Sequence, residues 1–355
     1  MSHDRSSHWS RKPGRPLLSD LGEMEILERI RGMLAGRTGL LGDPRFVSVG
    51  VGDDAALIRP RPGTQLAWTC DVHVEGRHFR TADMTPEEVG RRVAVGNLSD
   101  LAAMASRPRA ALLSLALPSG DPEDVLMGLL AGAATELEAS GGVVAGGNLS
   151  ATTGPRVIDG TFVGEVEGAA ILRSGARPDD LILLIGRTGE SAAGLWVLNG
   201  RAAGEAGLRG PAFDGLAQAY RRPEHKVAEA LILREAGGVT ALIDTSDGLI
   251  ADLSRLCSAS GVGARVEAAA IPVSPRLQEA ARSAGADAFD WVFGPSDDYA
   301  LIAAAVPDHV KDIQSRLGER VSVIGRFHGE PNGVAIAGWK AIGPPPGWDH
   351  FRRGS

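Results

Sequence analysis

Apolar runs of strand length recur along this chain, and aspartate stands at the end of one after another. "FVSVGVG" is followed by Asp53 and Asp54, "LAWTC" by Asp71, "VTALI" by Asp244 and then Asp247, and "WVFGPS" by Asp297 and Asp298. Asp100 interrupts "VAVGNLSDLAAM". Helical spacings fall between the runs, so strands alternate with helices and the fold class is α/β, in the α+β sense, with mixed sheets covered by helices. Strand ends and helix starts are where such folds place ligands. A carboxylate in an apolar setting needs a partner or a raised pKa. Ordinary uses exist: Asp54 can hold a turn, and Asp247 can favour the positive end of a helix beginning near Gly248. Asp100 is harder to place that way, because its helix has apolar neighbours on several sides. Lysine is scarce, at Lys12, Lys226, Lys311 and Lys340 only, and neither "GVGDDAALI" nor "LIDTSDGLI" contains an arginine. Divalent cations would satisfy these acids together. Mg²⁺ takes oxygen ligands, commonly a few carboxylates with water and substrate phosphate.

The 355 residues suffice for two domains. Residues 1–18 are polar and basic and read as a disordered tail; against the chain's formal −7, their net +3 leaves −10 on the body. An acidic body argues against a broad nucleic-acid surface. No run approaches the ~18 apolar residues of a membrane span, and the N-terminus lacks the apolar core of a secretory signal. Two cysteines, Cys70 and Cys257, without C-x-x-C suit a reducing cytoplasm and exclude a cysteine-based zinc site. Order is expected from Ser19, where Leu21, Met24, Ile26, Leu27, Ile30 and Met33 are near helical spacing. A second helix is well signalled, with Thr85 as N-cap, Pro86 at the first helical position and Glu88 closing a capping box. "RAALLSLALP" reads as a buried strand, "PEDVLMGLLAGAATELEAS" as a helix, and "GGVVAGGNLS" as a turn, a short strand and a glycine loop. "VIDGTFVGEVEG" reads as the strand closing an N-terminal domain over 19–165, which leaves a C-terminal α+β domain over 166–355. There "GRTGESAAGLWVL" gives a loop and helix, and "DWVFGPSDDYALIAAAV" a loop and then a strand.

Several Mg²⁺ ions imply a polyphosphate. The chain has no G-x-x-x-x-G-K-[ST], no protein-kinase H-R-D and D-F-G set, no H-E-x-x-H and no G-x-S-x-G. With few lysines, neutralising a nucleotide falls to metal ions, arginine and backbone N–H groups. Glycine loops at 186–195 and 145–150 could offer the last, although each also reads as an ordinary turn.

Nine motifs then stand in order: "GVGDDAAL", "TCDVHVEGRHF", "VAVGNLSDLAAMAS", "AGGNLS", "LRSGARPDD", "GRTGESAAGL", "IDTSDGLIADL", "PSDDYAL" and "GWDHF". From about Leu21 to Phe351 the chain resembles the thiamine-monophosphate kinase family, of the aminoimidazole-ribonucleotide synthetase superfamily. The resemblance implies that superfamily's two-domain fold and a cytoplasmic homodimer with the nucleotide site near the N-terminal domain interface; composition already argues for no nucleic-acid or membrane partner. It implies phosphorylation of thiamine monophosphate to thiamine diphosphate with ATP and several Mg²⁺ ions. By motif, Asp54, Asp71, Asp100, Asp244 and Asp247 fall at metal-binding positions, with Thr69 and the backbone at Cys70 in support. Gly147, Asn148, Arg173 and Ser246 fall at ATP positions, and His78, Asp297 and Trp348 at thiamine monophosphate positions. Three departures stand out. Asn148 replaces the usual aspartate of G-G-D, where an amide oxygen can still ligate Mg²⁺ but one negative charge is lost. Asp297 is one methylene shorter than the usual glutamate, and Cys70 stands where threonine is common. Two alternatives stay open at this point: a paralogue that uses ATP on another small phosphate or carboxylate, and a nucleotide-binding protein without catalysis.

Overall fold

The structure, a computed structural model, describes residues 9, 14–37, 43–205 and 207–339. Trp348 and most of residues 1–18 lie outside the described residues. The chain divides into two units. One comprises residues 1–101 and 107–168, the other 102–106 and 169–355.

The first unit runs α1 (Glu23–Ala35), β1 (Val47–Val49), β2 (Leu57–Ile58), β3 (Thr64–Val74), α2 (Pro86–Ala103), β4 (Arg107–Pro118), α3 (Glu123–Ala139), β5 (Val143–Thr152) and β6 (Val157–Glu167). The last residues of α2 pass into the second unit. Four strands form a sheet in the order β3-β6-β4-β5, antiparallel except for β4 and β5, which α3 connects as a parallel pair. The expected capping box opens α2: Thr85 N–H donates to Glu88 Oε2 at 3.0 Å, and Glu88 N–H to Thr85 Oγ1 at 3.2 Å. Helices α2 and α3 pack with almost no space between them. A β-carbon on Gly90 would stand 1.9 Å from Leu129 O, and one on Gly132 would stand 2.0 Å from Glu87 O. Backbone therefore meets backbone, and α2 is buried continuously from Arg92 to Ser99.

Three expectations are corrected here. The "AGGNLS" segment is not a loop: β5 continues through it to Thr152, paired with β4. Asp71 is not at a strand end, because β3 stays paired with β6 as far as Val74 opposite Val157. The tail is packed, not disordered, at Trp9 and Leu18, although Gly14 and Arg15 are exposed. Trp9 is buried, stacks on Phe79 with centroids 6.1 Å apart, and donates its indole N–H to Met84 O at 2.8 Å. Leu18 N–H donates to Asp121 O at 2.8 Å. An indole and two leucines have apolar area to bury, and the basic residues around them do not change that.

The second unit runs β7 (Leu181–Ile185), α4 (Glu190–Ala202), α5 (Pro211–Arg221), α6 (Val227–Ala236), β8 (Val239–Asp244), α7 (Leu249–Ser260), β9 (Gly263–Glu267), α8 (Pro275–Ala284), α9 (Ala288–Phe293), β10 (Leu301–Ala305), α10 (Pro307–Leu317), β11 (Val321–His328) and β12 (Val334–Ala337). Six strands form a mixed sheet in the order β12-β9-β11-β7-β10-β8. Every residue of β10 is buried, which requires cover on both faces and explains its uninterrupted apolar run. "DWVF", expected as loop, is the end of the short helix α9.

Candidate active site

In the first unit, alternation along β3 sorts the candidates onto two faces. Thr69 and Asp71 point to one face, toward α2, where Thr69 Oγ1 donates to Asp100 Oδ2. This hydrogen bond partners the carboxylate that the apolar surroundings of α2 left in question. Cys70 points to the other face, with its Sγ 3.2 Å from Asp159 Oδ1 and 3.6 Å from Thr161 Oγ1. Asn148 is in register with Ser114, and Ser114 with Asp159, so Asn148 belongs to that second face. There a cavity of about 990 Å³ is lined by Asp53, Asp54, Trp68, Gly147, Asn148 and Thr161 among others. Asp53 takes the ordinary role, accepting the Asp54 N–H at 2.8 Å, while Asp54 itself is exposed. The structure thus brings Thr69, Asp71 and Asp100 together, and Asp54, Gly147 and Asn148 together, but not the two sets. One residue's step along a strand reverses its face, and residues 50–56 lead to the face opposite α2.

His78 lies in the loop after β3, its Nδ1 accepting the Val74 N–H at 3.0 Å. His73, unremarked in the sequence, is buried beside it, with ring centroids 5.6 Å apart. Burial, with the charge of Arg92 and the neighbouring His78, pushes its pKa down to about 3.

In the second unit, three loops meet at one end of the sheet: 186–189 after β7, 245–248 after β8 and 294–300 before β10. Thr245 N–H donates to Ala300 O at 2.8 Å, and Ala300 N–H to Thr245 Oγ1 at 3.0 Å. Gly248, at φ 117°, lies directly on the third loop, since a β-carbon there would stand 2.4 Å from Gly294 O. Asp244 ends β8 and is buried, Ser246 is exposed, and Asp247 is half-buried. Asp297 accepts the Ser191 hydroxyl at 2.6 Å. Its neighbour Asp298 accepts N–H groups from Gly189 at 2.5 Å and Ser191 at 2.8 Å, and the Ser296 hydroxyl. Burial pushes the Asp298 carboxyl above the usual carboxylate range, against the pull of these donors. Two N–H groups of the 186–195 stretch, those of Gly189 and Ser191, are therefore spent on an internal carboxylate. Arg173 is exposed in the segment before β7, its carbonyl accepting the Ser260 hydroxyl at 3.2 Å.

Sequence reasoning missed two residues here. Arg255 Nη1 lies 2.5 Å from Asp247 Oδ2 and also ion-pairs the buried Asp252, whose Oδ2 accepts the Asp247 N–H at 3.0 Å. The expectation that no arginine serves "LIDTSDGLI" is corrected: Arg255 reaches back from the second turn of α7. The signal was the three-residue helical step between Asp252 and Arg255. Burial pushes Asp252 up to about 6. Both cysteines are free thiols.

The donors at the candidate metal positions are oxygens, which suit Mg²⁺: in the first unit those of Asp54, Thr69, Asp71, Asp100, Asn148 and the Cys70 backbone, and in the second those of Asp244 and Asp247. Among the described residues no three acids, histidines or cysteines already surround one point. No helix among the described residues is long and apolar enough to cross a membrane.

Residues 52–166 match the N-terminal domain of AIR synthase related proteins, and residues 177–338 the C-terminal domain. The thiamine-monophosphate kinase of Mycobacterium tuberculosis (strain CDC 1551) is 33% identical over 344 residues, covering 93% of this chain and 94% of that protein. Among solved structures, thiamine-monophosphate kinase from Stenotrophomonas maltophilia K279a superposes with a TM-score of 0.75 at 31% identity, over 90% of this chain and 98% of that one. AaThiL complexed with AMPPCP and TMP gives a TM-score of 0.73 at 29% identity, over 93% and 97%. With likeness running over nearly the full length of both chains, this chain belongs to the thiamine-monophosphate kinase family and has its two-domain AIR synthase related fold.

Proposed function

We propose that this chain transfers the terminal phosphoryl group of ATP to thiamine monophosphate, giving thiamine diphosphate and ADP. A phosphate oxygen of the acceptor forms the new P–O bond as the bond between the β- and γ-phosphates breaks, in line. That oxygen is largely deprotonated near neutral pH, since a phosphate monoester's second pKa is about 6. No strong general base is then required, and catalysis is alignment with charge neutralisation. Mg²⁺ would supply neutralisation of the polyphosphate; its candidate ligands are Thr69, Asp71 and Asp100 in the first unit and, separately, Asp244 and Asp247 in the second. Ser246, Arg173, Gly147 and Asn148 are assigned to ATP. His78, Asp297 and Trp348 are assigned to thiamine monophosphate, with Ser191 orienting the Asp297 carboxylate.

The observation that carries this reading is the Thr69–Asp100 contact with Asp71 on the same face, in a chain related over its length to thiamine-monophosphate kinases. A homodimer fits the same picture. Trp68, Val72 and Leu112 stand 58%, 49% and 39% exposed on the sheet face opposite α2, an apolar surface a second copy would cover. The test is product formation from ATP, thiamine monophosphate and Mg²⁺, with Asp100→Asn as control. Thiamine diphosphate made by the native chain and reduced at least ~100-fold in Asp100→Asn is expected, from loss of a charge acting directly at the reacting phosphates. Folded native protein that makes none, with thiamine monophosphate in excess, overturns the reading.

A further inference from the structure

Asp247 is placed by its neighbours to a degree that an exposed loop acid would not need. Its backbone N–H is bonded to Asp252 Oδ2 at 3.0 Å, and its Oδ2 lies 2.5 Å from Arg255 Nη1. Asp252 is 1% exposed and ion-paired to the same guanidinium nitrogen. Among the described residues Asp247 has no ion-pair or hydrogen-bond partner for its carboxylate other than Arg255. The carboxylate is thus gripped from one side and left open on the other, while its main chain is pinned to the first turn of α7.

We infer that Arg255 and Asp252 are positioning residues that fix the Asp247 carboxylate for a divalent cation. This rests on the reading above that Asp247 ligates metal. A free aspartate on a loop samples several rotamers, and each must be given up on ligation. Arg255 removes that cost in advance by fixing one oxygen, and Asp252 removes the backbone part. Its charge offsets that of Arg255, so the pair steers Asp247 without repelling the incoming cation. Partners that hydrogen-bond a ligating carboxylate change metal affinity by about 10- to 100-fold when removed. Arginine suits the role because its rigid, always-charged guanidinium carries Nη1 to a point between both carboxylates, a reach and orientation the flexible lysine ammonium reproduces less well.

The test is Mn²⁺ binding followed by electron paramagnetic resonance, on the full chain with a non-hydrolysable ATP analogue and no turnover. Native protein, Asp247→Asn, Arg255→Gln and Arg255→Lys are compared, with thermal melting alongside. Arg255→Gln is expected to weaken Mn²⁺ binding about tenfold, and Arg255→Lys to weaken it less. In steady state the Mg²⁺ concentration for half-maximal rate should rise in Arg255→Gln, with the rate at saturating Mg²⁺ retained. A merely structural role would lower the melting temperature and leave the folded protein's Mn²⁺ affinity unchanged, and that result overturns the proposal. If Asp247→Asn itself binds Mn²⁺ as the native chain does, it is the assignment of Asp247 as a ligand that fails. Should Arg255→Gln not fold, Arg255→Lys decides alone: native Mn²⁺ affinity in a variant whose Asp247→Asn counterpart is weakened refutes the inference.

Discussion

His73 shows how one buried ring ties stability to pH. Among the described residues its Nδ1 has no hydrogen-bond partner, and its pKa falls to about 3 from an ordinary 6.5. As pH drops below the ordinary value, the unfolded chain takes up a proton that the folded chain refuses. Folding stability contributed by His73 is therefore complete above about pH 6.5 and lost on acidification toward 3, by up to about 1.4 kcal/mol per unit. Urea unfolding at about pH 7 and about pH 5 should show this loss in the native chain and a smaller one in His73→Asn. Asp298 makes a second case. Both its oxygens accept from donors, so Asp298→Asn would turn an amide N–H against the N–H groups of Gly189 or Ser191. A loss of about 1.5–3 kcal/mol is expected in urea unfolding, the scale of hydrogen bonds to a charged group. At this scale the sequence was legible where partners are local. Thr85 and Glu88 are three residues apart, and their box formed as read. Asp298 was opaque, because its partners Gly189 and Ser191 lie over a hundred positions away.

At Gly90 and Gly132, helices α2 and α3 meet backbone against backbone. Alanine in place of Gly90 would favour the isolated helix by about 1 kcal/mol. In this structure its β-carbon would overlap the Leu129 carbonyl oxygen, and forcing such contacts costs about 1–3 kcal/mol or more. The net sign is destabilising: Gly90→Ala should lower the melting temperature by several degrees, and it should also reduce turnover, since α2 carries Asp100 to Thr69. Most elements were visible from periodicity, including both long helices and the strands β4 and β6. The length of β5 was not, and Asp71 was taken for an end although "TQLAWTCDVHVEG" reads as one strand-like run, which is β3. A glycine-rich or Asp-containing stretch stays a strand when a neighbouring strand pairs with it, and no local pattern records the neighbour. That is why Asp71 was placed at an end and the 145–150 segment in a loop. The same gap hid the site's division. Spacing marked Asp54, Asp71 and Asp100 alike, but the face each one points to follows from register.

For the whole molecule, the exposed aromatic and aliphatic residues on the first unit's sheet have a measurable consequence. Sedimentation should give a dimer for the native chain, and Trp68→Lys or Leu112→Lys should shift it toward monomer, because a charge desolvated in an apolar interface is costly. A native monomer at tens of micromolar would count against the homodimer. The order of the two units along the chain was legible, because each begins and closes with its own strands and helices. Their interleaving was not. Residues 102–106 belong to the second unit although the first resumes at Arg107. Arg234 on α6 donates to Ala105 O at 3.0 Å, to Met104 O at 3.1 Å and to Ala169 O at 3.0 Å. Anyone dividing the gene after codon 168 would thus obtain a downstream polypeptide missing a piece of itself. The Arg234 guanidinium would have lost the carbonyls of Met104 and Ala105, and supplying the upstream polypeptide in the same cell is the remedy the geometry recommends.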